Sequence, residues 1–204
     1  MSKCWNYANL VGWQEQASFL LSWVDKFRGN LETRGTQEWF QRWHISEIEN
    51  LKEFENLLSW WNDKGVVPNE FFVLRSWQTD ISIKDVTNLM CPHIHTDTMY
   101  QDIDSKLNGT TPKYSVNFPL RNCEGTSTHF FRILDTSKNN RIQYYNLGEY
   151  GIDPAGCEEI DRYYLTEPII MNVQTPHCIH NPMPTIREVA CFRFPNDYKL
   201  DSWM

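Results

Sequence analysis

The sequence predicts a mainly β domain buttressed by N-terminal helices, and three observations carry that prediction. Helical spacing of apolar residues is confined to the first 65 residues. From Val67-Pro68 onward the chain is a series of short strand-like runs separated by clusters of Gly, Pro, Asn and Asp. No internal repeat, low-complexity tract or flexible linker interrupts it, so residues 1–204 read as one domain, with 1–66 as a helical buttress and 67–204 as the β core. A chain of this length can bury roughly 70% of its unfolded surface, which suffices for a core without disulfide staples.

The first helix is expected in "WQEQASFLLSWVDKFRGN", where Leu20, Val24 and Phe27 recur at helical spacing before Gly29-Asn30 stops the run. A second is expected in "SEIENLKEFENLLSWWNDKG". Ser46 and Glu49 form a capping-box pattern there, Ile48, Leu51, Leu58 and Trp61 share a broad face, and Gly65 supplies the stop. Aromatic stripes at helical period bury themselves against a sheet, so these Trp and Phe side chains are expected in a core rather than in a ligand cage. Strands are expected in "FFVLRSW", "KYSVNFPL", "STHFFRIL", "EPIIMNVQ" and "IREVACFRF", with the helices packed on the barrel or sandwich they form. Residues 135–161 are the longest irregular stretch, read as a solvated connection or a loop over a binding site.

Composition narrows the partners. Nineteen basic against twenty-six acidic side chains leave a net charge of -7, a field that repels phosphate backbones and anionic lipid, so nucleic acid and membrane are unfavoured partners. No run approaches a membrane span, and "MSKCWNYANLVGW" lacks the pattern of an export signal. The six cysteines are scattered without a CxxC pair, as expected for free thiols in a reducing cytoplasm, where the sequon at Asn108 has no meaning.

Chemistry is concentrated in "CPHIHTD". In an extended segment, alternation sends His93, His95 and Asp97 to one face, with neighbours about 7 Å apart, close enough for two of them to grip one ion. On a helix the same side chains would diverge. Far downstream, "TPHCIHNPMPTIREVACFRF" offers His177, a Pro-marked turn and then a strand carrying Arg187. Two histidines and one carboxylate with open coordination positions suit a non-haem Fe(II) that must also bind a chelating substrate and oxygen.

These residues resemble the Fe(II)/2-oxoglutarate-dependent oxygenases. His95-Thr96-Asp97 matches the HxD element, His177 the distal histidine, and Arg187, ten positions further, the basic residue that holds the distal carboxylate of 2-oxoglutarate. "YSVNFPLRNC", "THFF", "PHCIHN" and "REVACFRF", within residues 90–194, also look like a group of small oxygenase-like proteins, several of them phage-encoded. The resemblance implies a double-stranded β-helix, a cupin-like jelly-roll. It also implies metal ligands His95, Asp97 and His177, Fe(II) and 2-oxoglutarate as cofactors, and hydroxylation of a small molecule or protein side chain with release of succinate and CO2. Arg187 would anchor the co-substrate, and Asn117 in "YSVNFPL" would line its pocket.

Several features depart from the pattern or compete with it. Val189 stands where the family often has Ser or Thr, which removes one hydroxyl bond to the co-substrate. Arg193 shares a strand face with Arg187 and is a rival anchor, whereas His180 lies an odd number of positions from His177 and would face oppositely. "HIH" together with "HCIHN" also resembles the metal elements of cupins, but the expected Glu after His95 is replaced by Asp102 and Asp104, which leaves His93 as a pocket-lining residue. A cupin metalloenzyme that does not use 2-oxoglutarate, and a non-catalytic jelly-roll or virion protein, are the alternatives. His44 and His129 have no partner pattern and are expected to be structural.

Overall fold

The computed structural model describes residues 3–26, 40–85, 88, 90–97, 113–134, 141–144, 149–194 and 200–203. Strands in chain order are β1 (Trp5–Tyr7), β2 (Phe40–His44), β3 (Glu70–Ser76), β4 (Tyr114–Arg121), β5 (Ser127–Ile133), β6 (Arg141–Tyr144), β7 (Glu149–Ile152), β8 (Cys157–Tyr164), β9 (Ile169–Asn172), β10 (His177–His180) and β11 (Arg187–Arg193). The helices are α1 (Trp13–Asp25), α2 (Ile45–Ile48) and α3 (Glu55–Asp63). A six-stranded antiparallel sheet has the order β1-β9-β4-β11-β3-β2, and a three-stranded one has the order β10-β5-β8. β6 and β7 pair separately as a hairpin.

Strand alternation sorts side chains to the two faces of the large sheet. Phe71, Val73, Val116, Phe118, Ile170, Ala190 and Phe192 join Leu20, Trp23, Val24, Phe54, Leu57 and Trp61 of the helical layer in one core. Aromatic rings dominate it: Trp61 meets Phe192 at 4.9 Å and Trp23 meets Phe54 at 4.9 Å, so the aromatic residues of the helices are core. On the other face, Phe72, Ile169, Met171, Val189 and Cys191 meet Phe130 of β5 and Tyr163 of β8 in a second core between the sheets. The molecule is thus a two-sheet β structure with helices on one outer face.

Three expectations need correction. The first 66 residues are not wholly helical, because β1 and β2 lie there and occupy opposite edges of the large sheet. The second expected helix is broken: Leu51 is extended (φ -83°, ψ 115°) between α2 and a 3-10 turn at Lys52–Phe54. The break rotates the apolar face, so Phe54 and Leu57 are buried beside Ile48 and Trp61 while Leu51 is 41% exposed. Gly65 does follow α3 with a left-handed φ of 74°, the conformation that ends a helix at least cost for glycine. Finally, the stretch 135–161 carries the β6–β7 hairpin and the start of β8, so pairing replaces much of the expected loop. Gly29-Asn30, Phe27, Asp102, Asp104 and Asn108 lie outside the described residues.

Candidate metal and co-substrate site

His95 and His177 are brought together by backbone pairing. The His95 N–H donates to the His177 carbonyl at 2.9 Å and the His177 N–H to the His95 carbonyl at 2.8 Å, which adds a bridge to the free edge of β10. Asp97 is tied down by its own N–H, which donates to the Val173 carbonyl just beyond β9 at 3.0 Å. The extended strand expected for "CPHIHTD" is thus reduced to one bridged residue, His95, and Asp97 already begins a 3-10 turn.

Each imidazole is oriented from behind. His95 Nδ1 lies 3.0 Å from the His93 carbonyl and His177 Nδ1 lies 2.8 Å from the Thr175 carbonyl. A carbonyl can only accept, so Nδ1 carries a proton in both rings, and in the neutral tautomer this leaves the Nε2 lone pair free for a metal. Both Nε2 atoms are 3.7 Å from Asp97 Oδ1, and the three ligand atoms lie within 4.8 Å of one another. Two neutral imidazoles and one carboxylate on one side of a point fit a divalent transition metal that keeps open positions. His93 contributes its carbonyl to this arrangement.

Local electrostatics favour the metal-binding forms of His177 and Asp97. Burial, aided by His95, pushes the His177 pKa down from 6.5 to about 4. Burial alone would raise that of Asp97, but Arg193, His177 and His95 together pull it below the usual carboxylate range. Arg193 donates from Nη2 to Asp97 Oδ2, with its guanidinium 5.0 Å over the Phe72 ring. His180 lies apart, half-buried on the outer face of the small sheet, with its ring 5.6 Å from that of His129. His129 is buried and partnered, 2.8 Å from Ser127 Oγ and 3.0 Å from Glu159 Oε2.

Arg187, Val189, Cys191 and Arg193 line one face of β11, between the sheets. Arg187 is 1% exposed, and among the described residues its Nε and Nη1 have no hydrogen-bond partner. Its neighbour Glu188 points the other way and is already engaged, 2.9 Å from Arg75 Nε and 3.1 Å from Arg121 Nη1. Asn117 pairs with Cys191 across the sheet; its Oδ1 accepts from Ser115 Oγ at 2.6 Å, and its Nδ2 lies 3.2 Å from Met171 Sδ. Sequence reasoning missed Tyr163 and Thr128, inward-facing partners across β5 and β8. The alternation in "CEEIDRYY" was the available signal for Tyr163.

A scan against protein-family models gives no match, and neither does a search of curated protein sequences. Among solved structures, the chain is similar to the non-heme alpha ketoglutarate dependent carbocyclase SnoK from nogalamycin biosynthesis. The TM-score is 0.48 at 9% identity, covering 97% of this chain and 85% of that one. It is also similar to AviO1 from Streptomyces viridochromogenes Tue57, with a TM-score of 0.41 at 10% identity, covering 94% and 87%. A third similar structure is the non-heme alpha ketoglutarate dependent epimerase SnoN from nogalamycin biosynthesis, with a TM-score of 0.38 at 10% identity, covering 93% and 77%. Such values carry no argument about function, which is drawn below from the site alone. Among the described residues, no helix is long and apolar enough to cross a membrane.

Proposed function

We propose that this protein is an Fe(II)- and 2-oxoglutarate-dependent oxygenase of the hydroxylase type, built on a double-stranded β-helix. The strand order supports that architecture: β3, β11, β4 and β9 are neighbours in one sheet, while the His95 bridge, β10, β5 and β8 are neighbours in the other. The observations that carry the function are a convergent His95–Asp97–His177 donor set and a buried Arg187 whose Nε and Nη1 have no hydrogen-bond partner among the described residues.

His95 Nε2, His177 Nε2 and Asp97 Oδ1 would hold the metal. When bound with the keto acid, iron supplies the redox chemistry by which O2, 2-oxoglutarate and a C–H bond become succinate, CO2 and an alcohol. The chain's own residues bind, orient and exclude water. His93 and Thr175 carbonyls fix the ring planes, and Arg193 holds the Asp97 carboxylate by its second oxygen. The inter-sheet wall of Phe72, Phe130, Val189 and Cys191 keeps solvent out.

Two arginines face this space, and of the two only Arg193 is matched by Asp97. Arg187 therefore calls for an anion, and its forked N–H groups match a carboxylate. That assigns the distal carboxylate to Arg187 and makes Asn117 a wall of the same pocket. The prime substrate in this reading is a small molecule or a protein side chain.

Anaerobic addition of Fe(II) followed by 2-oxoglutarate tests the proposal. A weak visible charge-transfer band is expected from the chelate. A flat spectrum from folded, iron-loaded protein refutes it.

A further inference from the structure

One short crossing holds groups on both arms of the metal site. β9 ends at Asn172 in the large sheet and β10 begins at His177 in the small one, so residues 173–176 pass from one sheet to the other. Within that crossing the Val173 carbonyl accepts from the Asp97 N–H at 3.0 Å, and the Thr175 carbonyl lies 2.8 Å from His177 Nδ1. His177 is in turn paired with His95 through backbone hydrogen bonds of 2.9 and 2.8 Å. The relative placement of all three donors therefore depends on where two carbonyls, two residues apart, are held.

Both ends of the crossing are tied to neighbouring chain. The Asn172 N–H donates to the Cys4 carbonyl at 2.9 Å and the Val173 N–H to the Lys113 carbonyl at 3.0 Å, while the Pro176 carbonyl accepts from the Phe131 N–H at 2.7 Å. Val173 is buried, but Gln174 is exposed, so packing does not fix the middle. Asn172 does: its Oδ1 accepts from the Gln174 N–H at 3.0 Å, and its carbonyl accepts from the Thr175 N–H at 3.3 Å. Asparagine suits this position because its side chain reaches the backbone two residues on and closes a turn there. The backbone bond is long for an N–H donor, which makes the side-chain bond the tighter of the two.

We propose that Asn172 is a positioning residue for the metal centre: its side chain fixes the turn whose Val173 and Thr175 carbonyls seat Asp97 and His177. The inference rests on the metal-site reading above. A divalent ion requires the His177 ring plane and the Asp97 backbone to be set together, and one four-residue turn, Asn172 to Thr175, sets both. Groups that orient a metal ligand from behind are commonly worth tenfold to a hundredfold in metal affinity. Asn172 acts one step further back, through the carbonyls, so an effect of about tenfold is expected.

The test is equilibrium dialysis of Mn(II) against the parent, Asn172→Ala and Asn172→Asp. The Ala variant should bind about tenfold more weakly. The Asp variant keeps an acceptor oxygen at the same reach and should bind close to the parent. A second measurement, on metal-free protein, is the solvent exchange of the His177 Nδ1 proton by NMR, which should quicken in the Ala variant and not in the Asp variant. A merely structural asparagine would lower the denaturation midpoint while leaving the Mn(II) affinity of the folded protein and the proton exchange unchanged, and that result overturns the proposal. Equal losses in the Ala and Asp variants also overturn it, because the retained acceptor would then have made no difference. If Asn172→Ala does not fold, Asn172→Ser, whose hydroxyl closes the same turn more weakly, should give a smaller loss of Mn(II) affinity, and no loss there counts against the proposal. A parent that binds no Mn(II) removes the metal-site reading and the role of Asn172 with it, whereas a parent that binds and an Ala variant that binds equally remove the role of Asn172 alone.

Discussion

Replacing Arg187 by Met should make the ligand-free protein more stable. The side chain is 1% exposed, and its Nε and Nη1 donate to nothing among the described residues. Each buried donor left unsatisfied costs about 1–3 kcal/mol, so deleting two should return about 2–6 kcal/mol. Met keeps an unbranched stem of similar reach but fills the guanidinium volume imperfectly, and a methyl-sized void takes back about 1 kcal/mol or somewhat more. A net gain of about 1–5 kcal/mol is expected. The measurement is urea unfolding of metal-free protein near pH 7. With a slope of about 2 kcal/mol per molar, a gain of about 2 kcal/mol raises the midpoint by about 1 M with the slope unchanged. The ligand arm has the opposite sign: 2-oxoglutarate at a hundred times its dissociation constant should stabilise the Mn(II)-loaded parent by about 2.7 kcal/mol and the Met variant by almost nothing. A function-driven site is destabilised until its ligand arrives, and this pair of signs expresses that. A lower midpoint for Arg187→Met would refute the reasoning, because it would mean that the guanidinium is satisfied in the ligand-free fold.

Further outcomes follow from the same geometry. His95→Ala, Asp97→Ala and His177→Ala should each remove most Fe(II) or Mn(II) binding by equilibrium dialysis, and His180→Ala should not; loss at His180 with retention at His177 would mean the wrong histidine was chosen. For metal-free protein, His177 titrates near 6.5 when unfolded and about 4 when folded, so the unfolded chain binds more protons in that window and stability rises with pH across it. It should be intact above about pH 6.5 and fall by up to about 3 kcal/mol toward pH 4, at about 1.36 kcal/mol per unit, with a shallower slope in His177→Gln. Glu188→Ala should cost about 3–5 kcal/mol in the same urea assay, because it removes the carboxylate that lies 2.9 Å from the buried Arg75 and 3.1 Å from Arg121. An unchanged midpoint would show that the arginine finds another acceptor.

Period and spacing alone determined much about this protein. Alternation in "REVACFR" put Arg187 and Arg193 on one face, helical period marked Trp61 and Leu20 as core, and Gly65 marked a helix end, because each depends on local backbone geometry. The pairing of His95 with His177 was legible only as chemistry, a donor set in search of a fold. The tertiary structure decided the rest. It shows Arg193 engaged by Asp97, and Arg187 with its Nε and Nη1 unpartnered among the described residues, a difference set by what lies across the sandwich and not by anything within the strand. It broke the second helix at Leu51, since burying Phe54 and Leu57 against the sheet outweighs continuing a regular helix. It drew β1 and β2 out of a stretch read as helical, because a sheet edge recruits backbone hydrogen bonds from whatever chain passes. Tyr163 became visible for the same reason: a side chain's partners across two sheets are a property of packing, and local sequence does not encode them.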